Sequence, residues 1–158
     1  MGQTRRETMW LNHLDLLPGD PSVFTSFNAV QSGGLVVQSN TTGETAQGGG
    51  NKVVHMGLQV PPDYIIKRVR VCYEISNSRS FISQIRLSQL QNPPSQSLVK
   101  LDDATDQTNP GPVCVGSADT TVDPSLGAVD LDLRVNFGST ADRIVVLALG
   151  LVVIRSSS

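Results

Sequence analysis

Apolar and polar residues alternate along several segments of this chain, with the period of two that a half-buried β-strand requires. The clearest segment spans residues 127–138, where every second position is apolar: Val129, Leu131, Leu133, Val135 and Phe137. Residues 64–76 alternate similarly, and in residues 80–90 Phe81, Ile85 and Leu87 share a face with the polar Ser83. Weaker strands are predicted at residues 9–14, 35–39, 52–60, 97–101 and 113–116. No segment carries the apolar stripe of an amphipathic helix together with a capping residue.

Clusters of Pro, Gly and Asn separate these segments, as at residues 47–51 and 109–112, and such residues favour turns. Many short strands without a helix indicate an all-β protein. We therefore predict a single antiparallel β-sandwich of jelly-roll type with an extended N-terminal arm. Residues 1–38 form the arm and edge strands, residues 39–50 a Gly-rich polar loop, and residues 51–158 the sandwich core, within one domain overall.

The alternation disappears in the last segment, because residues 144–154 are all apolar except for Gly150. Eleven residues are too few to cross a membrane as a helix, which needs about 20. The many β-branched residues favour a strand that is apolar on both faces. One face would pack on the core. The other would form a homo-oligomer interface through Val145, Leu147, Leu149, Leu151 and Val153. In the alternative, the chain's own N-terminal residues 9–14 cover this face.

Composition and charge narrow the function classes. Charged residues make up 16% of the chain and the net charge is −2, so no basic surface for nucleic acid is expected. Aromatic residues make up only 4%, which leaves few stacking platforms for single-stranded nucleic acid or for sugars. No signal peptide is visible at the N-terminus. The localisation therefore stays open, with the extracellular space or a particle surface favoured.

Three carboxylates lie close together in one polar segment, at Asp102, Asp103 and Asp106. Calcium binds such oxygen clusters, but the spacing does not match an EF-hand, and Asp also serves ordinary turns. Calcium is the only cofactor that the sequence suggests.

Cys72 and Cys114 form either a disulfide or two separate buried thiols.

Two pairs of like-charged residues each share a face of a predicted strand. Arg68 lies two residues before Arg70, and Asp130 lies two residues before Asp132, so each pair shares one strand face. If the two strands are neighbours, the arginines form ion pairs with the aspartates; in the alternative, the arginines bind an anionic ligand.

No nucleophile elbow is present, and neither histidine has an adjacent acid and nucleophile. We therefore expect no catalytic residues.

The pattern as a whole is similar to trimeric jelly-roll heads of the C1q and tumour-necrosis-factor type, and to viral fibre and capsid modules. This resemblance concerns architecture only and implies a non-enzymatic structural protein. We expect self-assembly through the last strand, as a homotrimer or as a filament in which residues 3–17 add a strand to a neighbour. The alternative is a carbohydrate- or small-ligand-binding module, assisted by calcium. Its partners would be a glycan or a surface ligand, with no nucleic acid and no membrane span.

Overall fold

A computed structural model describes residues 5–28, 33–91 and 96–156. It contains eleven strands: β1 (Glu7–Trp10), β2 (Leu17–Pro18), β3 (Val23–Asn28), β4 (Gly34–Ser39), β5 (Val53–Leu58), β6 (Tyr64–Ile75), β7 (Phe81–Leu90), β8 (Ser97–Asp103), β9 (Val113–Gly116), β10 (Val129–Asn136) and β11 (Ile144–Arg155). Short 3₁₀ turns lie at His13–Asp15 and Pro124–Leu126. Within the described residues there is no α-helix, and none could therefore span a membrane.

The strands form two antiparallel sheets that pack face to face as a sandwich. The first sheet has the order β3-β4-β11-β6-β9, with β1 pairing beside β11, and the second has the order β2-β5-β10-β7-β8. The eight strands β4 to β11 divide into β4-β11-β6-β9 facing β5-β10-β7-β8, which is jelly-roll connectivity. The predicted all-β jelly-roll sandwich is confirmed, and its last strand is central.

The core lies between the sheets and is built from the inward positions of both. In β10 the alternation is strict, with Val129, Leu131, Leu133 and Val135 at most 4% exposed. Tyr73, Phe137 and Leu149 are among the largest fully buried side chains. Burial of this kind contributes about 25 cal/mol per Å² of apolar surface and is the main source of the stability of the sandwich.

A β-bulge in the last strand changes which of its side chains face inward. Val146 pairs with Tyr73 while Ala148 pairs with Cys72, so Leu147 is an extra residue without a partner on β6. Such a residue reverses the alternation that follows it. Beyond the bulge, the inward side chains are Leu149, Leu151 and Val153, each at most 1% exposed. The prediction that these three residues face a second subunit is therefore wrong. Val145 and Leu147 do remain outside the core cluster.

The N-terminal region contributes side chains to the core of the sandwich. Leu16, Val23, Leu35 and Val37 all lie in the hydrophobic core. Strand β1 pairs antiparallel with the chain's own β11, from Glu7 opposite Val153 to Trp10 opposite Gly150. The predicted ranges also include residues 1–4, 29–32, 92–95 and 157–158, which lie outside the described residues.

Candidate ligand-binding groove

The single tryptophan of the chain lies on the outer side of the first sheet, at the end of β1. Trp10 pairs with Gly150 in register, and Gly150 pairs on its other side with Arg70. A Cβ atom at Gly150 would lie 3.0 Å from Cε3 of the indole, so the glycine leaves room for the ring. The Arg70 guanidinium carbon lies 5.7 Å from the ring centroid, in cation–π contact. The side chain of Trp10 nevertheless remains 54% exposed.

Trp10 lines a groove between the N-terminal segment and β5. The groove has a volume of about 370 Å³, within the range of small-molecule sites. Its lining combines apolar and polar residues: Met9, Trp10, Leu11, Asn12, Asp15, Met56, Gly57 and Gln59. We call this surface the Trp10 groove. Its lining includes one aromatic residue, two residues with side-chain amides and one with a carboxylate.

The 3₁₀ turn at His13–Asp15 places the polar groups of the Trp10 groove. Asn12 caps the turn, because its Oδ1 accepts a hydrogen bond from the Leu14 amide at 3.2 Å. Its Nδ2 donates to Oδ1 of Asp15 at 3.3 Å. The Leu11 amide donates to the Leu149 carbonyl at 2.8 Å, which attaches the segment to the central strand. The amide of Asn12 and the carboxylate of Asp15 thus stand on a fixed backbone that directly follows β1.

A second, smaller cleft lies beside Arg70 on the same sheet face. Its volume is about 250 Å³, and Arg68, Gly116 and Val152 contribute to its lining. Arg68 donates to Oδ1 of Asp119 at 2.9 Å. The hydrogen bond from Arg6 is the largest cause that holds the pKa of Asp119 below its usual value, and the hydrogen bond from Arg68 is the next largest. The expected ion pairs between these arginines and the Asp130–Asp132 pair do not form, because the arginines lie in the first sheet and the aspartates in the second.

The three carboxylates predicted to bind calcium are not brought together. Asp102 and Asp103 are neighbours in β8, so their side chains point to opposite faces. Asp102 lies 3.5 Å from Nη2 of Arg86. Asp103 accepts hydrogen bonds from the amides of Thr105 at 3.0 Å and Ala118 at 2.8 Å. Asp106 is exposed and lies beyond the end of β8. These aspartates serve the sheet and its turns.

Cys72 and Cys114 are joined by a disulfide across β6 and β9, where the two residues are register partners. Cys72 is buried and Cys114 is exposed. Neither cysteine is therefore a free thiol. The bridge fixes β9 at the edge of the first sheet, beside the Arg70 cleft.

The outer face of the second sheet carries a row of charged side chains. His55, Asp132, Arg86 and Asp102 are successive register partners across β5, β10, β7 and β8. Nδ1 of His55 lies 3.8 Å from Oδ1 of Asp130. Burial raises the pKa of Asp132 to about 6, and the neighbouring Asp130 adds to the rise. His55, Asp130 and Asp132 are the only group of three ligand-type side chains that converges within residues 5–28, 33–91 and 96–156.

The sequence predicts a strand over residues 9–14, which includes Trp10, but it does not predict the groove. Asn12, Asp15 and Gln59 come from two separate segments that only the strand pairing brings together. One local signal exists, because Asn12 followed three residues later by Asp15 is typical of a capped turn. Nothing in the sequence indicates that Gln59 lies opposite that turn.

No family model and no curated protein matches the chain. A solved structure of the CBM22-1 and GH10 modules of a Clostridium thermocellum endo-1,4-beta-D-xylanase, complexed with xylohexaose, superposes on all of this chain with a TM-score of 0.58 and 11% identity. This chain spans only 29% of that one. A family 29 carbohydrate-binding module gives a TM-score of 0.47 at 10% identity, covering 96% of this chain and 90% of the module. A structure of carbohydrate-binding modules from the β-sandwich superfamily gives 0.47 at 13% identity, covering 91% and 55%. At such identities the likeness concerns the β-sandwich fold alone.

Proposed function

We propose that this chain is a non-enzymatic carbohydrate-binding β-sandwich module that holds a glycan in the Trp10 groove. The observation that carries the proposal is a groove whose lining includes Trp10, with its exposed indole, together with Asn12, Asp15 and Gln59. Sugar rings present apolar C–H faces to an aromatic ring and hydroxyl groups at their edges. Side-chain amides donate hydrogen bonds to such hydroxyl groups and accept hydrogen bonds from them, and carboxylates accept them.

The fold and the disulfide fit this proposal. The xylanase structure that shares the β-sandwich fold was solved as a complex with xylohexaose, so this architecture accompanies glycan binding in that protein. The Cys72–Cys114 disulfide favours an oxidising compartment, and the extracellular space is where polymeric glycans are met. Calcium is not part of the proposal, because Asp102, Asp103 and Asp106 do not converge.

The test uses Trp10 as its own probe, because it is the only tryptophan. Soluble xylan, glucomannan, mixed-linkage glucan and pectin are titrated into the protein while indole emission is followed. A saturable change with at least one of these polymers is expected. If none of them changes the emission or retards the protein in affinity electrophoresis, carbohydrate binding is excluded for the main classes of plant glycan and the proposal fails.

A pair of variants assigns the site. Trp10→Ala should weaken retardation by about tenfold or more, which corresponds to about 1.4 kcal/mol. Phe24→Ala is the matched control, because Phe24 is also an exposed aromatic residue but lies on the edge strand β3. Equal retardation of both variants and the wild type would show that the glycan binds elsewhere. Far-ultraviolet circular dichroism confirms that both variants are folded.

Self-assembly is the second candidate, and the observation that favours it is Leu147, a half-buried apolar side chain outside the core cluster on the outer side of β11. Its neighbours on that side, Val145 and Val36, are each only 5% exposed, so the apolar surface left for a second subunit is small. Light scattering coupled to size-exclusion chromatography measures the mass of the wild type and of Leu147→Lys. An oligomer that the lysine converts into folded monomer would support assembly, and a monomeric wild type would exclude it.

A further inference from the structure

Three ligand-type side chains converge on the outer face of the second sheet, and no part of the glycan-binding proposal uses them. His55 on β5 and Asp132 on β10 are direct register partners, and Asp130 lies two residues earlier on the same face of β10. One nitrogen or oxygen of each residue lies within 4.8 Å of the corresponding atoms of the other two. We propose that His55, Asp130 and Asp132 bind a first-row transition-metal ion, for which Zn²⁺ is the probe.

The distances suit a small ion held between the three groups. Zn²⁺ forms bonds of about 2.0–2.2 Å to imidazole nitrogen and carboxylate oxygen, so its ligand atoms lie about 3–4 Å apart. The separation of 3.8 Å between Nδ1 of His55 and Oδ1 of Asp130 falls in that range. Small side-chain rotations bring the remaining carboxylate into place, and water completes the coordination.

The backbone holds the three residues in position before any ion arrives. β10 lies between β5 and β7 and forms hydrogen-bonded ladders with both, so neither Asp130 nor Asp132 is on a mobile loop. Gly57 is the register partner of Asp130, and no heavy atom lies within 4 Å of the Cβ position that it lacks. This side of the cluster is therefore open to an ion from solution.

The charges around the cluster favour a cation. Asp130 and Asp132 are close enough to repel each other when both are ionised, and a cation between them removes this repulsion. Arg86 faces Asp132 from β7, but it also lies 3.5 Å from Oδ2 of Asp102, which provides a second anionic partner. On the other side, His55 faces the uncharged Leu17 of β2.

The ligand types select the class of metal. Calcium prefers six to eight oxygen ligands, whereas one imidazole nitrogen with two carboxylates suits Zn²⁺ and its neighbours in the first transition series. The proposed zinc site therefore differs in ligand type from the calcium site that the sequence predicts at Asp102, Asp103 and Asp106. It also differs in position, because those three aspartates lie on β8 or in the loop after it.

The test is calorimetric titration of ZnCl₂ into the full chain at pH 7.5, in a buffer that does not bind the metal. One saturable equivalent per chain is expected, with a rise in melting temperature because the ion binds the folded state. His55→Ala should weaken the affinity by at least about tenfold. If His55→Ala fails to fold, Asp132→Asn serves instead, since it removes a ligand charge while keeping the side-chain volume.

His13→Ala is the matched control, because His13 is the only other histidine and lies in the 3₁₀ turn of the first segment. It should retain the zinc affinity of the wild type. The proposal is overturned if the wild type binds no zinc, or if His55→Ala and His13→Ala bind it equally well.

Discussion

Trp10 and Gly150 are register partners on neighbouring strands, and the indole of Trp10 lies where a side chain at position 150 would stand. Glycine weakens the interior of a strand, since it loses more conformational freedom on folding than other residues. Its presence in the central strand is explained by the close approach of Trp10 and of Thr8, whose Cγ2 also lies 3.0 Å from the absent Cβ. The exposed aromatic platform of the groove thus depends on a missing side chain in β11.

Gly150→Val should therefore displace Trp10. We expect a shift in indole emission and a loss of about 1–3 kcal/mol in the free energy of unfolding, because the added methyl groups overpack the contact. Denaturant unfolding measures this loss in the wild-type background and in Trp10→Ala. The loss should shrink in Trp10→Ala, where the indole is absent. An equal loss in both backgrounds would mean that Trp10 does not lie against Gly150.

The part of the fold that sequence predicts well is the part where alternation is regular. Residues 127–138 alternate without interruption, and β10 forms there with its apolar side chains inward. The jelly-roll class follows from many such strands separated by Pro- and Gly-rich turns. The short strand β2 and the edge strand β3 were missed, because Leu17–Pro18 is too short for a pattern and Val23–Asn28 mixes apolar and polar residues on both faces.

Bulges explain why the faces of the last strand were assigned wrongly. In β7 the bulge at Ser83 leaves a polar residue as a visible break in the alternation. In β11 the bulge falls at Leu147, among residues that are all apolar, so the pattern looks the same in either register. Only pairing with β6 decides which side chains reach the core. The Trp10 groove escaped prediction for a related reason, since Gln59 joins it through tertiary pairing alone.

The bulge at Leu147 can be tested by introducing a lysine separately at position 149 and at position 147. Leu149 is fully buried, so Leu149→Lys places an unpaired ammonium group in the core and should cost more than about 4 kcal/mol or prevent folding. Leu147→Lys puts the same charge on the outer side and should cost less than about 1 kcal/mol. Urea unfolding followed by circular dichroism compares them. The opposite ranking would place Leu149 on the outer face, as first predicted.

The disulfide between Cys72 and Cys114 should contribute measurably to stability. It closes a loop with a sequence separation of 42 residues. Cross-links of this size stabilise by about 2–4 kcal/mol, largely by restricting the unfolded chain. Removing the bridge with Cys72→Ser and Cys114→Ser together should lower the free energy of unfolding by that amount.

Denaturant unfolding with and without reductant provides the control for this prediction. Reductant should destabilise the wild type to about the level of the double variant and leave the double variant unchanged. A wild type that is insensitive to reductant under unfolding conditions, and equal in stability to the double variant, would show that the cysteines are not joined.

The stability of the sandwich should also depend on pH through Asp142, in the turn that precedes β11. Arg79 donates to its two carboxylate oxygens at 2.9 and 3.1 Å, and Ser80 Oγ donates at 2.5 Å. The hydrogen bond from Arg79 is the largest cause of a lowered pKa of Asp142; burial opposes it, and Ser80 and the charge of Arg79 lower the pKa further. A carboxyl whose pKa is lower in the folded state stabilises the protein above its ordinary value of 3.8. That contribution is lost as the pH falls through the folded-state pKa.

Asp142→Asn isolates this contribution, because it keeps the shape of the side chain and removes the charge. At pH 7 the variant should be less stable than the wild type by about 1–3 kcal/mol, since the hydrogen bonds from Arg79 lose their anionic acceptor. The difference should be constant down to about pH 4 and should shrink at lower pH, as Asp142 in the wild type takes up a proton. Urea unfolding at a series of pH values measures it. A difference that grows as the pH falls, or that is absent at pH 7, would mean that Asp142 is not held as a carboxylate by Arg79.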